Sequence, residues 1–574
     1  MQYALLEEIG WTDFFVGRKE EMVALLKWAE GTKQRVSKSR ALLARRKKGK
    51  TALVQRFYNI LYDNNDPMVV PFYLRVEEGN QDILGFAMHY YCTFIGQYLG
   101  FTLRKPELVN DLSHLDELKE LAHDDPVILK DIRNVEAFQR TNPTLVWKLA
   151  RQAPHRIAAI KNIRIIQIID EFQYMNRYLF HDLEMKLHDD FCHTYMGTAE
   201  SKAAPMLVTG SYIGWLTRII GHMTSRFNPY NLHSLTDEEA LATVYNYATL
   251  MKIPITDTTA SYIAKVAGND PFYISQIIRT DMRDLDLTTK AGVRASLDFE
   301  TTLGTGFTAN MWWEYIQDAF DQENEKNAKK IVLYLAKYGR EERTRVQIVE
   351  DLKLELTDKE LAARLYKLYM TDLIARGASL FRYKGLADPI FAAVFRKIYG
   401  EEIDGVHPKT IQEDFDGEMT KLERQTNNYK GLAGEYKVIY HLLAAFDQKA
   451  LLADIVFNHQ EGCQLTPYAS MHRDRLYKDQ ERSREIDIYA ESEAEDEADL
   501  AIEVKNWKEE VSNTAVKQFI ALKDDYAAAL KKKAGFLLYS ENGFTQVQED
   551  LMNDRGIMYT TPERLTAYLK VEQV

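Results

Sequence analysis

Two groups of residues in this sequence have the types and spacings that chemistry on phosphates requires. The first is Ala44-Arg-Arg-Lys-Lys-Gly49-Lys50-Thr51, which follows apolar Ala41-Leu42-Leu43 and precedes a helical pattern. A tight strand-to-helix turn of this kind points backbone N–H groups at phosphate oxygens, at the positive end of a helix. Lys50 is then placed to reach the terminal phosphates of a nucleotide, and the Thr51 hydroxyl to ligand Mg2+. Ala44 stands where such a loop carries its first glycine, a small cost if that residue keeps a negative φ. The competing reading is a basic turn, since Arg45, Arg46, Lys47 and Lys48 also suit a nucleic-acid patch. Ile165-Ile-Gln-Ile-Ile-Asp170-Glu171 decides for the nucleotide, because it is a buried-strand pattern ending in two acids. Asp170 suits the Mg2+ shell, and Glu171 the orientation or deprotonation of an attacking water.

The second group lies near the C-terminus: Arg484-Glu485-Ile486-Asp487-Ile488-Tyr489, an acidic loop, then Leu500-Ala-Ile-Glu503-Val504-Lys505. Alternation in both runs predicts a β-hairpin with Asp487, Glu503 and Lys505 clustered at one end. Glu503 and Lys505 are two apart and share a face of their strand. Two carboxylates hold Mg2+ through oxygen, the metal activates water, and the lysine positions or polarises the nucleophile. The alternative is a cross-face ion pair on an exposed hairpin. The basic run from His472 to Arg484 suits phosphate contacts or a solvated loop. His459, Cys463 and His472 lack the paired spacing of a zinc site, and Cys192-His193 reads as packing.

The elements that must position these groups follow from periodicity. The runs Met68 to Val76, Arg164 to Ile169 and Met206 to Thr209 alternate with helical segments, which implies βα units and a parallel sheet. Roughly 120 residues separate Lys50 from Asp170, room for intervening βα units. From about residue 232 to 400 the pattern is almost wholly helical. Within it, Asn324 to Tyr338, Thr344 to Leu352 and Thr357 to Ile374, followed by extended pieces around Lys384-Gly385, have the order of a winged helix. Polar Gly400 to Asn428, with Gly405, Pro408 and Gly417, reads as a linker.

Composition bounds the rest. With 574 residues, 46% hydrophobic and 28% charged, the chain is an ordinary globular protein of about four domain-sized units, not a disordered or fibrous one. A net charge of −12 means that any nucleic-acid surface must be local. Three scattered cysteines favour a reducing, cytoplasmic setting, and the start of the chain has no signal-peptide pattern. Ile83 to Phe101 is free of charge, but His89, Thr93 and Gln97 put a polar stripe on one helix face, so a buried soluble helix is expected and not a membrane span.

At these residues the chain resembles known families. Phe15-Val16-Gly17-Arg18-Lys19-Glu20, Asp170-Glu171-Phe172-Gln173-Tyr174, Thr209-Gly210-Ser211, Gly268-Asn-Asp-Pro271-Phe272-Tyr273 and Asp388-Pro389-Ile390-Phe391 are similar to segments of the archaeal-type ATPases related to the STAND class of P-loop NTPases. The resemblance covers about residues 13–400. It implies nucleotide contacts from Gly17, Arg18, Ala44, Gly49, Lys50, Thr51 and Asp170, and an arginine finger at Arg226 in Ser225-Arg226-Phe227, where a plain surface arginine is the alternative. Residues 426–574 resemble the PD-(D/E)XK nuclease superfamily, with Asp487 as first acid and Glu503-Val-Lys505 as the (D/E)xK half. That resemblance adds Glu435, in Gly434-Glu435-Tyr436-Lys437-Val438, as an acid on the first helix, and Gln518 as a supporting polar residue. The first acid departs from the pattern in following Ile486 and not proline.

The expected fold class is therefore α/β multidomain. An AAA+/STAND-like P-loop ATPase core spans 1–231, a helical lid 232–310, a winged helix 311–400, a linker 401–425, and an α/β restriction-endonuclease-like domain 426–574. The expected cofactors are ATP and Mg2+. The expected function is an ATP-binding or ATP-hydrolysing switch controlling a Mg2+-dependent nuclease, acting on DNA in preference to RNA. Family analogy alone adds defence against foreign nucleic acid, and a homo-oligomer or an activating protein partner. The other function that fits is a regulatory or scaffold ATPase whose winged helix binds DNA or protein, with a catalytically weak nuclease fold.

Overall fold

The strands on either side of the phosphate loop pair into one parallel sheet. The computed structural model describes residues 2–567 apart from 11, 112, 140–141, 181–190, 224–225, 321–325, 340, 380, 406–407, 426–429, 448–451, 460–467, 478–482, 495, 506–510 and 527–532. It divides into two units, Met1–Leu235 with Asn310–Pro408, and Thr236–Ala309 with Lys409–Val574.

In the first unit the sheet order is Val69–Arg75, Arg164–Asp170, Met206–Gly210, Ser39–Leu43, Phe227–Asn231, all parallel. Helices cover both faces, which is why the central strands are almost unbroken apolar runs. Ala41 and Ile169 both pair with Val208, so the 39–43 and 164–170 strands end level, and their C-terminal loops emerge side by side. The uncharged helix Ile83–Thr102 is buried. Gln97 on its polar stripe donates to Tyr73 O at 2.9 Å and accepts from Tyr73 N at 2.8 Å. No described helix is long and apolar enough to cross a membrane.

The same unit holds helices Lys326–Tyr338, Arg345–Leu352 and Asp358–Met370 with a small antiparallel sheet of Arg343–Thr344, Arg382–Lys384 and Ala375–Arg376. Capping boxes Thr344/Gln347 and Thr357/Glu360 start the second and third helices. The extended pieces lie earlier than expected. The first strand ends at Arg376, the second starts at Arg382 and ends at Lys384, and Gly385 passes so close to the 326–338 helix that a Cβ there would stand 2.3 Å from Leu335 O.

The second unit begins with helices Asp237–Leu250, Asp257–Val266, Pro271–Ile278 and Lys290–Glu300. The stretch expected as a linker is instead largely the helix Pro408–Gln425. Ile411, Phe415 and Met419, spaced by four, are buried, while Glu413, Asp414, Asp416 and Gly417 face outward and give the sequence its linker-like polarity. Tyr262 and Arg294 bond this helix to the preceding ones, through Met419 O at 3.5 Å and Thr420 Oγ1 at 3.2 Å.

A second sheet follows, in the order Tyr468–Tyr477, Ser483–Ser492, Asp499–Lys505, Ala534–Ser540, Met558–Thr560, antiparallel across its first three strands and parallel across the rest. Helix Lys430–Asp447 lays Val438, Leu442 and Ala445 on the face carrying Leu500, Ile502 and Val504. Helix Asn513–Tyr526 lays Val516, Phe519 and Ile520 on the other face, against Ala501 and Leu538.

Candidate functional site

The loop from Ala44 leads into helix Lys50–Asn64 through Gly49 at φ 79°, a left-handed value that a side chain would strain. Thr51, in the first turn, donates to Asp170 Oδ2 at 2.8 Å. Asp170 also accepts from Tyr73 at 3.3 Å and from Thr209, and it has no exposed surface. A hydroxyl and a carboxylate at this distance, beside a helix N-terminus, are the oxygen donors that Mg2+ with a triphosphate takes, so the residues fit that group. Burial and neighbouring Glu171 push the Asp170 carboxyl above its ordinary value, a strain that a cation relieves. Lys50 is buried and donates to Ala44 O at 2.6 Å and Arg45 O at 2.8 Å. Burial lowers its ammonium to about 8, against the pull of Glu171 and Asp170.

Glu171 stands at φ 56° with both oxygens committed. Ser211 Oγ donates to Oε1, while Ser211 N at 3.0 Å and Gln173 Nε2 at 2.6 Å donate to Oε2. The carboxylate is clamped rather than aimed at open solvent. Gln173 was open to sequence reading, two residues after Glu171, and Ser211 lay in a segment already singled out. Tyr73 gave no signal of its own.

Residues 310–408 reach this loop. Asp388 caps helix Pro389–Asp404 through Phe391 N at 2.9 Å and pairs with Arg45 at 3.2 Å. Asp372 accepts from Ile213 N at 2.6 Å and Gly214 N at 3.2 Å, the start of the helix that follows Ser211. Burial pushes the Asp372 carboxyl up to about 6, although Arg45 and Lys50 favour its charge. Tyr315 stacks on Tyr212 at 5.4 Å, with the Arg46 guanidinium over both rings. No motif marked Asp372, because its partners lie about 160 residues away in the chain.

Gly17, Arg18 and Arg226 lie on the flanks of this site. Gly17 has φ 79°. Arg18, almost fully buried, spends its guanidinium on Lys48 O at 3.0 Å, His233 O at 2.7 Å and Glu21 at 3.0 Å, so it braces the phosphate loop from behind. Arg226 precedes the Phe227–Asn231 strand, whose first residue pairs with Ser39, at the end of the sheet away from the loop. That is roughly 15 Å at about 3.3 Å per residue. It is held there by Met196 O at 2.8 Å and Glu200 at 3.2 Å, away from its own chain's loop. Ser225 lies outside the described residues. Cys192 is buried, donating to Phe172 O at 3.3 Å, and packs as expected.

In the second sheet Ile488 pairs with Ile502 at the end of the ladder, with Asp487 and Glu503 the next residues on the two strands, close enough for the Asp487 charge to act on Glu503. Asp487 Oδ2 accepts from Val504 N at 2.8 Å, and Lys505 Nζ donates to Glu503 Oε1 at 2.6 Å. Burial, then the Asp487 charge, raises the Glu503 carboxyl, with Lys505 and Arg484 opposing. Two half-buried carboxylates with one lysine suit a divalent cation. Among the described residues, however, no three His, Cys, Asp or Glu side chains gather around one metal position.

The other two expected members lie on the helices that flank this sheet. Glu435 is buried on the 430–447 helix, which packs on the opposite face from Glu503. Gln518 is exposed, because Val516, Phe519 and Ile520 take the inward face of its helix. Cys463, Lys478 and Arg482, and the side chains of His472, Arg473 and Arg475, lie outside the described residues.

No protein-family model matches the chain, and no curated protein matches it. Solved structures similar to it include the Walker-type ATPase paby2304 of Pyrococcus abyssi, at 15% identity over 67% of this chain and 96% of that one, TM-score 0.46. The ORC2 protein of Aeropyrum pernix is 12% identical over 68% of this chain and 98% of its own, TM-score 0.38. The RuvB Holliday junction branch migration motor of Thermotoga maritima is 14% identical over 67% and 96%, TM-score 0.30.

Proposed function

We propose that this protein is a P-loop ATPase switch that governs a C-terminal, Mg2+-dependent nuclease acting on DNA. The observation that carries the reading is that one chain holds two carboxylate sites, the first buried and the second half-buried, each with a lysine in reach: Thr51–Asp170 beside Lys50, and Asp487–Glu503 beside Lys505. Bound Mg2+ supplies charge neutralisation for phosphates at the first site and an activated water at the second. At the first site Lys50 exchanges Ala44 O and Arg45 O for phosphate oxygens, and Thr51 turns its hydroxyl from Asp170. Glu171 orients the attacking water once Ser211 and Gln173 release it. At the second site Asp487 and Glu503 offer oxygen, and Lys505 positions the nucleophile against the phosphodiester.

The test is cleavage of plasmid and single-stranded DNA with Mg2+ by the full chain, compared with Glu503→Ala and Lys505→Ala. Loss in both variants, with ATP binding intact, is the expected result. Equal cleavage by all three discards the site, and the ATPase then stands alone as a regulatory module.

A further inference from the structure

A buried chain of charges runs through the second unit and is used by neither site. Lys437, on helix Lys430–Asp447, donates to Glu541 Oε1 at 2.9 Å and Oε2 at 3.0 Å. The same ammonium stands 3.7 Å from Asp257 Oδ1, at the start of helix Asp257–Val266. Both carboxylates are tied further. Tyr245 donates to Asp257 Oδ1 at 2.7 Å, and Tyr539 donates to Glu541 Oε2. The side chains of Lys437 and Asp257 are 13% and 9% exposed and that of Glu541 is 28%, so water screens the Asp257 end of the set less than the Glu541 end.

The far end of the network touches the C-terminal site. Glu541 follows the Ala534–Ser540 strand, which runs parallel to Asp499–Lys505 with Ser540 opposite Lys505. Glu541 N donates to Lys505 O at 3.2 Å. Lys505 in turn holds Glu503. Four non-covalent links therefore join Asp257, in the helical 236–309 segment, to the carboxylate proposed to hold the metal. Burial and the Lys437 charge lower His441, one turn further on, to about 4, so that ring stays neutral and adds no second cation.

We propose that Lys437 is a positioning residue for the C-terminal site, fixing the end of the Glu503 strand to the helical 236–309 segment through Asp257 and Glu541. This rests on the nuclease reading above. The geometry gives one cation to two carboxylates. Without it the two carboxylates lose the cation they share, Glu541 withdraws, and its bond to Lys505 O loosens. The segment that carries Asp257 thereby gains a direct hold on Glu503 and Lys505, and a shift of that segment is felt at the metal.

The experiment uses the full chain. Mn2+ affinity is read by calorimetry and DNA cleavage by kcat and KM, for wild type, Lys437→Met, Lys437→Arg, Asp257→Asn and Glu503→Ala. Thermal midpoints are read alongside. Lys437→Met should weaken Mn2+ binding and lower kcat by about tenfold with KM for DNA unchanged, and Lys437→Arg should restore both. Asp257→Asn should move the same quantities in the same direction, by a smaller factor. Unchanged Mn2+ affinity and kcat in Lys437→Met overturn the proposal. So does a loss that Lys437→Arg fails to restore and that follows the thermal midpoint. Glu503→Ala isolates the reading beneath: if it binds Mn2+ and cleaves as wild type does, the metal site itself is wrong and the positioning role falls with it.

Discussion

Replacing Ser211 by alanine should make the ATPase faster. Glu171 is the acid at the end of the Arg164–Asp170 strand, yet Ser211 Oγ, Ser211 N and Gln173 Nε2 occupy both its oxygens. Hydrolysis requires at least one oxygen to turn toward the water. Each hydrogen bond to a charged group contributes about 1.5–3 kcal/mol. Removing Oγ leaves Oε1 without its donor in a residue only 5% exposed, so the clamped state rises in energy while the released state does not. At about 1.4 kcal/mol per tenfold, the ceiling is about a hundredfold in kcat. Ser211 N and Gln173 still grip Oε2, so about tenfold is the expected gain. The assay is steady-state phosphate release at saturating Mg2+ and ATP, with Glu171→Gln as the inactive control. Nucleotide affinity should not move, because Ser211 bonds neither Lys50 nor Thr51. A fall in kcat, or none, refutes the clamp and makes Ser211 a residue that positions water directly.

Nucleotide binding at pH 8 should take up about half a proton, because Lys50 sits near 8 without phosphate and is fully protonated beside one; calorimetry in buffers of different ionisation enthalpy reads it, and Lys50→Met should abolish both uptake and binding. Asp372 is raised to about 6 from an ordinary value near 3.9. Its contribution is therefore full below pH 4 and lost as pH rises through 6, an amount of about 3 kcal/mol. Asp372→Asn does not titrate, so its stability relative to wild type should climb by up to that amount between pH 4 and 7, measured by denaturant unfolding. Glu503 is also raised, so protons compete with metal there: Mn2+ affinity should fall steeply as pH drops through the upper carboxylate range, and Glu503→Gln should bind weakly at every pH.

The phosphate loop, its partner acids and the hairpin of Asp487 and Glu503 were legible because each lies on one short run whose period fixes which side chains share a face. What escaped was set by contacts distant in sequence. Nothing near Asp372 marks it as the cap of a helix that begins at Ile213. The helix Pro408–Gln425 was misread because its outward face is acidic and carries Gly417, although Ile411, Phe415 and Met419 already had helical spacing. Glu435 and Gln518 lie on the two helices that cover opposite faces of this sheet, and which way each side chain turns is set by the phase of its helix, which no local motif encodes.

The clamp on Glu171 and the docking of residues 310–408 are mechanically one device. Ser211 holds Glu171, and two residues later Ile213 N and Gly214 N begin the helix that Asp372 caps. A movement of that helix start shifts the Ser211 N–H that grips Glu171, and it also loads Asp372. From the other side, Asp388 holds Arg45 in the phosphate loop itself. A triphosphate drawing Lys50 and Arg45 toward its oxygens competes with Asp372 and Asp388 for the same positive charge. Each such contact is on the order of 1–3 kcal/mol, the size of coupling that shifts a two-state population five- to about a hundredfold. Phosphate occupancy and the docking of the 310–408 segment are therefore opposed by direct competition for charge. By reciprocity, any partner that pulls this segment away must tighten the nucleotide by the same factor.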